Sequence, residues 1–420
     1  MKLVIVNAFG RSNRGDSVLL DECIGQLRLV YPDAQISAVV FAGIGEARAV
    51  HPSVAWSKRI GSTKSGNGNV NSRSKALFYL LSAWISALVP CSGFDRFLPP
   101  DQRRTLEAIR NADTVISAPG GYIHDTNFAY FIALFHIYLS TVLGKTVVLA
   151  PQSVGPINGW FSRWVARRVL RRVPYVCARE SYSFDFLTKE LGLSAARVFR
   201  AGDSAFWNDD VERDSAMIER EYAKLGIRPG QAVFGMTVVG WSYPRSGDPN
   251  AAREAYVAAL ARIADHITEA YQLIPVIFNQ VSDDLPTAFD VRKRAKYPII
   301  IDETNRDPAV LRALMARSTI FLGTRFHSCI FAMIAGRPTF AIAYLPKTEF
   351  IMNDLLLDAR HTSIYAIDID AVIKQLSSDL ENLTLAESAI STAVSSYRSR
   401  FARFNDIMNL VERHRLAPRT

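Results

Sequence analysis

Short apolar runs alternate with amphipathic stretches along almost the whole chain. Leu3–Asn7, Ile36–Val40, Thr114–Ala118, Thr146–Ala150 and Tyr175–Ala178 are rich in β-branched and other apolar residues. Runs that are apolar at successive positions, not at every second one, suit parallel strands covered on both faces by helices. A second series, Ala232–Val239, Leu273–Phe278, Ile299–Asp302, Ile320–Leu322 and Thr339–Ala343, repeats the arrangement. Two such series predict an α/β protein of two Rossmann-like domains with parallel sheets facing a central cleft, over residues 1–207 and 231–384. The polar, charge-dense stretch 208–230 reads as the linker, and 385–420 as a helical segment that packs back on the first domain.

Two segments depart from this rhythm. Ala76–Val89 is apolar except at Ser82 and Ser86. As a helix it would be ~21 Å long, too short for a bilayer core of ~30 Å. The Gly/Ser/Asn-rich, basic stretch before it, Ser57–Lys75, reads as a mobile loop. On a helical wheel of Trp160–Val173, Val165, Ala166, Val169 and Val173 share one face. Arg163, Arg167, Arg168, Arg171 and Arg172 take the other, with Trp160 and Trp164 among them. Trp mixed with Arg suits a lipid headgroup layer; a surface helix with a solvated arginine face is the alternative. Peripheral membrane contact through 76–89 and 160–173 is therefore an expectation.

Composition narrows the class. At 420 residues, 49% hydrophobic and 21% charged, the chain suits two globular domains with large cores. Four scattered cysteines (Cys23, Cys91, Cys177, Cys329) form no CxxC pair, which argues against a zinc ribbon or disulfide scaffold and for a reducing compartment. The sequence opens directly on a strand pattern without signal-peptide character, so a cytoplasmic location is expected. The net charge of +9 is uneven: residues 1–210 hold 24 Lys/Arg against 16 Asp/Glu, and residues 211–420 hold 25 against 24. A basic half attracts anions. With no zinc-finger spacing and no aromatic RNP segment, nucleic acid ranks below phosphate-bearing small molecules and membrane.

The densest chemistry lies in Phe321–Tyr344. A strand ends at Leu322, and Gly323–Ser328 turns into a helix, which puts Arg325 and His327 at a strand's carboxyl end. Open α/β sheets bind ligands there. Arginine offers a fixed cationic fork for carboxylate or phosphate, and histidine can transfer protons near neutral pH. In an extended turn, side chains two apart would face one ligand together. The structural alternative pairs Arg325 with a carboxylate and His327 with a carbonyl. After Gly336-Arg337-Pro338 and one more strand, Tyr344 and Lys347 reach the same edge.

The first half carries further strand-end loops. Pro119-Gly120-Gly121 is followed by His124 and Asp125, and Gln152-Ser153 ends the next strand. Arg179-Glu180-Ser181 and Gly202-Asp203 end two more, while Asn13-Arg14-Gly15-Asp16 leads into a helix with Asp16 placed as N-cap. With the Gly323–Ser328 turn, six such loops outline one cleft. Other motifs fail. There is no GxxxxGK[ST] loop and no GxSxG, and Gly43–Arg48 lacks the third glycine of a dinucleotide fingerprint. The seven histidines show no ligand spacing, so no metal is expected. Asp368-Ile369-Asp370 looks like a DxD motif but falls in what reads as a weak late strand.

Together, Asn13-x-Gly15-Asp16, Pro119-Gly120-Gly121, Gln152-Ser153-x-Gly155-Pro156, Arg179-Glu180-Ser181, Asp203, and above all Arg325-x-His327-Ser328, Gly336-x-Pro338 and Tyr344-x-x-Lys347 resemble the polysaccharide pyruvyl transferase family. The resemblance spans residues 1–350. Tyr122 stands where that family often has a third glycine, and Glu180 where it often has Asp. The resemblance implies a GT-B-like fold and transfer of the pyruvyl group of phosphoenolpyruvate onto two sugar hydroxyls, with no cofactor or metal. It makes Arg325 and His327 catalytic, and Arg325, Ser328, Tyr344, Lys347 and Arg179 donor-binding. Asn13, Asp16, Gly120, Gly121, His124, Asp125, Gln152, Ser153 and Asp203 would line the acceptor side. The acceptor would be a glycan or lipid-linked oligosaccharide, which gives the Trp-bearing basic half a reason to meet the inner face of a membrane. A nucleotide-sugar glycosyltransferase of the same fold is the alternative. A glycan-binding module without activity is a third reading, against which intact Arg325, His327 and Lys347 argue.

Overall fold

The computed structural model describes residues 1–10, 14–63, 70–126, 128–207, 215–304 and 306–416. They fall into two compact units, Met1–Ser204 with Phe401–Thr420, and Ala205–Arg400.

The first unit is built on strands β1 (Lys2–Ala8), β2 (Gln35–Val40), β3 (Ala55–Lys58), β4 (Thr114–Ser117), β5 (Gly120–Ile123), β6 (Thr146–Val154), β7 (Tyr175–Ala178) and β8 (Val198–Arg200). Their order is β3-β2-β1-β4-β6-β7-β8, with β5 paired to β6 and every described pairing parallel. All of β1 except Lys2 is buried, as a strand covered on both faces requires. The five expected strands are present. β3, β5 and β8 were not legible as apolar runs, because they are short and carry Ser, Gly-Gly or Arg. β6 continues four residues past Ala150, so Gln152 and Ser153 lie within a strand and not after one.

The second unit carries β9 (Val233–Thr237), β10 (Ile274–Phe278), β11 (Ile300–Asp302), β12 (Ile320–Gly323), β13 (Thr339–Ala343) and β14 (His361–Ser363). These are ordered β11-β10-β9-β12-β13-β14 and are again parallel. In each sheet one early strand, β1 or β9, has chain connections leaving to opposite sides. Such switch points open a crevice at the strands' carboxyl ends.

Several expectations are corrected. The stretch 208–230 is not a plain linker: residues 208–214 lie outside the described residues, and Ser215–Lys224 is a helix of the second unit. Its charges hide an i, i+4 pair, Ile218 and Tyr222, that is buried, with Tyr222 Oη donating to Leu314 O at 2.6 Å. The segment 385–420 divides at Arg400. Helix Leu383–Arg400 belongs to the second unit. Helix Phe404–Leu416 belongs to the first, burying Phe404, Ile407, Met408 and Val411 at i, i+3, i+4, i+7 in one core with Leu20, Ile24 and Leu27. Asp368 is no strand residue: it caps helix Ile369–Glu381 by accepting from Ala371 N at 3.0 Å, and Asp370 pairs with Arg262. Within the supposed loop Ser57–Lys75, Ser57 and Lys58 belong to β3 and a helix begins at Val70; residues 64–69 lie outside the described residues. No described helix is long and apolar enough to cross a membrane.

Candidate functional site

The second unit's switch point lies between β9 and β12, and a network of buried hydroxyls ties the two strand ends together. Thr237, closing β9, accepts the Thr324 and Arg325 amides (3.2 and 3.3 Å) and shares a 2.7 Å hydrogen bond with Ser328. Ser328 Oγ donates to Arg325 O at 2.5 Å. Tyr256 Oη meets Thr324 Oγ1 at 2.8 Å and accepts Val239 N at 3.2 Å. These bonds fix the turn from β12 into helix Phe326–Ile334, with Arg325 in the N-cap position. Ser328 is fully buried in this brace, so its expected role as a donor contact is replaced by a structural one.

Arg325 reaches from that brace to Asp284: Nε donates to Oδ2 at 2.7 Å and Nη2 to Oδ1 at 2.5 Å. Asp284 also accepts Gly240 N at 2.8 Å, from the loop after β9. Burial works against the guanidinium's charge, but the hydrogen bonds to Asp284 and the neighbouring Tyr344 leave its pKa raised. The side chain keeps 17% of its surface open, and among the described residues Nη1 has no hydrogen-bond partner. Two of the three guanidinium nitrogens are held, and Nη1 is left for a ligand. Tyr344, just past β13, lies with its ring 5.9 Å from the Arg325 guanidinium and 5.1 Å from the Trp241 ring. Lys347, in the first turn of helix Pro346–Asp354, holds its ammonium 5.1 Å from the Phe326 ring and has no carboxylate partner among the described residues. Arg325, Tyr344 and Lys347 are thus brought to one edge.

His327 departs from the extended-turn expectation. The helix begins at Phe326, so His327 stands in its first turn, 6% exposed, stacked on Phe331 with ring centres 6.3 Å apart. Residues two apart on a helix do not share a face. The structure places His327 at the same helix end as Arg325, but not beside it on one extended side.

The first unit's strand ends are organised differently. Arg179, expected to hold a donor, is 1% exposed. Its guanidinium pairs with Asp203 (3.3 Å) and Glu180 (3.4 Å) and donates to Ser153 Oγ. Ser153 and Ser183 both donate to Glu180. Burial raises the Glu180 pKa against the opposing pull of Arg179. Arg179, Ser153, Glu180 and Asp203 therefore form an internal polar cluster, a correction to the expectation that Arg179, Ser153 and Asp203 are ligand contacts. A Cβ on Gly121 would lie 3.3 Å from Arg179 Nη2, so this glycine gives the guanidinium its space. Gln152 is fully buried beside it, and neither atom of its amide has a hydrogen-bond partner among the described residues. Asp125 accepts the amides of Asn158 (3.1 Å) and Gly159 (2.7 Å), bracing the entry to helix Trp160–Leu170. His124, partly exposed on the same loop, meets Thr126 Oγ1 at 2.7 Å. Gly120 opens β5 and pairs with Gln152. Asn13 and the Asp16 side chain lie outside the described residues; the helix starts at Arg14, so Asp16 is in its first turn and is not the N-cap.

Sequence reasoning missed Asp284, Thr237 and Gln280. Asp284 and Gln280 follow β10 in the polar run Asn279-Gln280-Val281-Ser282-Asp283-Asp284, a strand-end signal of the kind used elsewhere in the chain. Gln280 is buried, with Nε2 lacking a hydrogen-bond partner among the described residues. At the first unit's own switch point, Asn7 Nδ2 donates to Ser117 Oγ (3.0 Å) and Ala133 O (3.1 Å). Tyr122, in place of a third glycine, joins this network at Ser117 Oγ (2.9 Å) and donates its hydroxyl to Ala118 O at 2.6 Å.

Comparison with known proteins supplies the remaining findings. A family model described as polysaccharide pyruvyl transferase matches residues 13–346. The amylovoran biosynthesis protein AmsJ of Erwinia amylovora is 24% identical over 429 residues, covering 95% of this chain and 96% of that protein. Among solved structures, Anabaena HepE in complex with UDP and glucose is similar with a TM-score of 0.60, 12% identity and 99% coverage of both chains. UDP-GlcNAc 2-epimerase from Neisseria meningitidis matches with a TM-score of 0.59 and 12% identity over 98% of this chain and 100% of the other. At these identities the structures establish the fold, two α/β domains of the GT-B type, and nothing more.

Proposed function

The chain belongs to the polysaccharide pyruvyl transferase family, a transferase of polysaccharide synthesis, and from this membership we propose that it moves the pyruvyl group of phosphoenolpyruvate onto two hydroxyls of one sugar, forming a cyclic ketal and releasing phosphate. The observation that carries the reading is the convergence of Arg325, Tyr344 and Lys347 at the switch point of the second sheet. Phosphoenolpyruvate offers a carboxylate and a phosphate close together, which suits two separated cations better than one.

In the proposed reaction a proton adds to the methylene carbon, leaving an oxocarbenium centre at the carbon that bears phosphate and carboxylate. One sugar hydroxyl attacks that centre and loses its proton. The carbon–oxygen bond to phosphate then breaks, and the second hydroxyl attacks and loses its proton. Arg325 and Lys347 hold the anion and stabilise charge on the departing phosphate. His327, at the same helix end, gives and takes protons. The acceptor, a glycan or lipid-linked oligosaccharide, is assigned to the first unit, where Gln152, Gly120, His124 and Asp125 remain candidates. The scheme calls for no metal or organic cofactor.

A thermal-shift comparison tests the donor. Phosphoenolpyruvate should raise the melting temperature of the full chain equally with and without a chelator. Stabilisation by a UDP-sugar and none by phosphoenolpyruvate would overturn the reading in favour of a glycosyltransferase.

A further inference from the structure

The two unusual segments of the first half flank one helix and line one basin in the structure. Helix Val70–Leu88 packs on helix Ala129–Val142, which packs on helix Trp160–Leu170. The outer two turn large apolar side chains outward along one surface, and the middle helix adds half-buried Phe131, Phe135 and Tyr138 between them. Leu77 is 60% exposed, Trp160 82% and Trp164 58%. Phe161 joins the helices, its ring 6.0 Å from Trp164 in a stacked arrangement and 6.2 Å from Phe131. Between them lies a shallow basin of about 480 Å³ lined only by leucine and aromatic residues. Continuous apolar surface of this kind marks an interaction site.

The charge around the basin identifies the partner. The three helices contain no acidic residue. Arg163 is engaged with Ile157 O and Glu190, and Arg171 donates to Gly192 O. Arg167 and Arg168 are exposed and have no carboxylate partner among the described residues. An isologous contact between two copies would bring these like charges together. Exposed tryptophans bordered by arginines fit the boundary of acyl chains and anionic headgroups. We infer that this three-helix surface docks the protein on an anionic lipid bilayer, with the rings inserted at headgroup level and the arginines on lipid phosphates. The Trp-bearing helix is entered from the loop after β6 and its neighbour from the loop after β5. The surface therefore adjoins the strand ends that carry His124 and Asp125. The inference rests on this surface alone and not on the identity of the donor.

Flotation of the full chain with phosphatidylglycerol/phosphatidylcholine vesicles, against phosphatidylcholine alone, tests it. The chain should float with the anionic vesicles, less so at high salt. Arg167→Glu with Arg168→Glu should weaken partitioning at least roughly thirtyfold, from about 1 kcal/mol for each basic residue at an anionic surface. Phe161→Ser with Trp164→Ser should abolish the salt-resistant part. The two arginines and Trp164 are exposed and Phe161 is half exposed, and an unchanged melting temperature certifies the fold of each variant. No flotation by the wild type, flotation unaffected by either variant, or equal binding to phosphatidylcholine alone would each overturn the inference.

Discussion

Arg179 and Arg325 both follow a parallel strand and both meet a carboxylate, yet they do different work. Arg179 follows β7, three strands from the switch strand β1, and is sealed between Glu180 and Asp203. Arg325 follows β12, immediately beside the switch strand β9, and is gripped from one side by Asp284. Neighbouring elements cover the first guanidinium, whereas the crevice at the switch point leaves the second partly open. An arginine at a strand end is thus sealed or left partly open according to its distance from the place where the chain reverses direction.

The comparison can be broken by experiment, and the largest expected effect concerns the helix end beside Arg325. His327→Ala should lower kcat about 10²–10⁴-fold at saturating phosphoenolpyruvate while changing donor affinity little. Recovery of near-normal kcat at saturation would make His327 a binding residue and move the search for the acid to His124. Arg179→Ala should instead act on stability, by ~3–5 kcal/mol in chemical denaturation, because Glu180 and Asp203 are left buried without their cation. A fully stable variant with lost donor affinity would reverse the assignment of the two arginines.

The first unit should also carry a pH signature. His136 is fully buried, accepting Ile60 N at 3.1 Å through Nε2 while Nδ1 donates to Ile132 O at 2.8 Å. Burial depresses its pKa to about 4. The unfolded chain protonates this residue near its ordinary value of about 6.5. The native fold excludes that proton, so this contribution is complete above pH ~6.5 and declines as the pH falls towards ~4, by up to about 3 kcal/mol. The stability difference between wild type and His136→Gln, followed by urea denaturation, should shrink across that window. A difference independent of pH would remove His136 as its source.

The smallest effect sharpens the second arginine's role. Arg325→Ala should weaken phosphoenolpyruvate binding ten- to a hundredfold, equivalent to ~1.5–3 kcal/mol for one charge-assisted contact. Asp284→Asn should show part of that loss, since the guanidinium keeps its charge but loses its bidentate anchor. Isothermal titration measures both. Identical donor affinity in wild type and Arg325→Ala would take Arg325 out of the site.

Local pattern settled much of this protein. Buried parallel strands need consecutive apolar residues, so β1, β7 and β13 were legible from their runs. The amphipathic wheel of 160–173 likewise foretold that Ala166 and Val169 turn inward and that Trp160, Trp164 and Arg167 turn out. Arg325, His327, Tyr344 and Lys347 announced themselves as polar groups at strand ends, because the backbone leaves the core there. Pairings across the chain were not legible. Asp284 lies 41 residues from Arg325, and Arg179 meets Asp203 through the parallel alignment of β7 and β8. The last helix returns to the first unit through a face shared with Leu20 and Leu27. Strand propensity and helix periodicity act over a few residues, and the sequence determines those directly. Which arginine keeps an open side, which glycine makes room for a guanidinium, and which two apolar helices share one surface depend on sheet order and packing, and only the tertiary structure decides them.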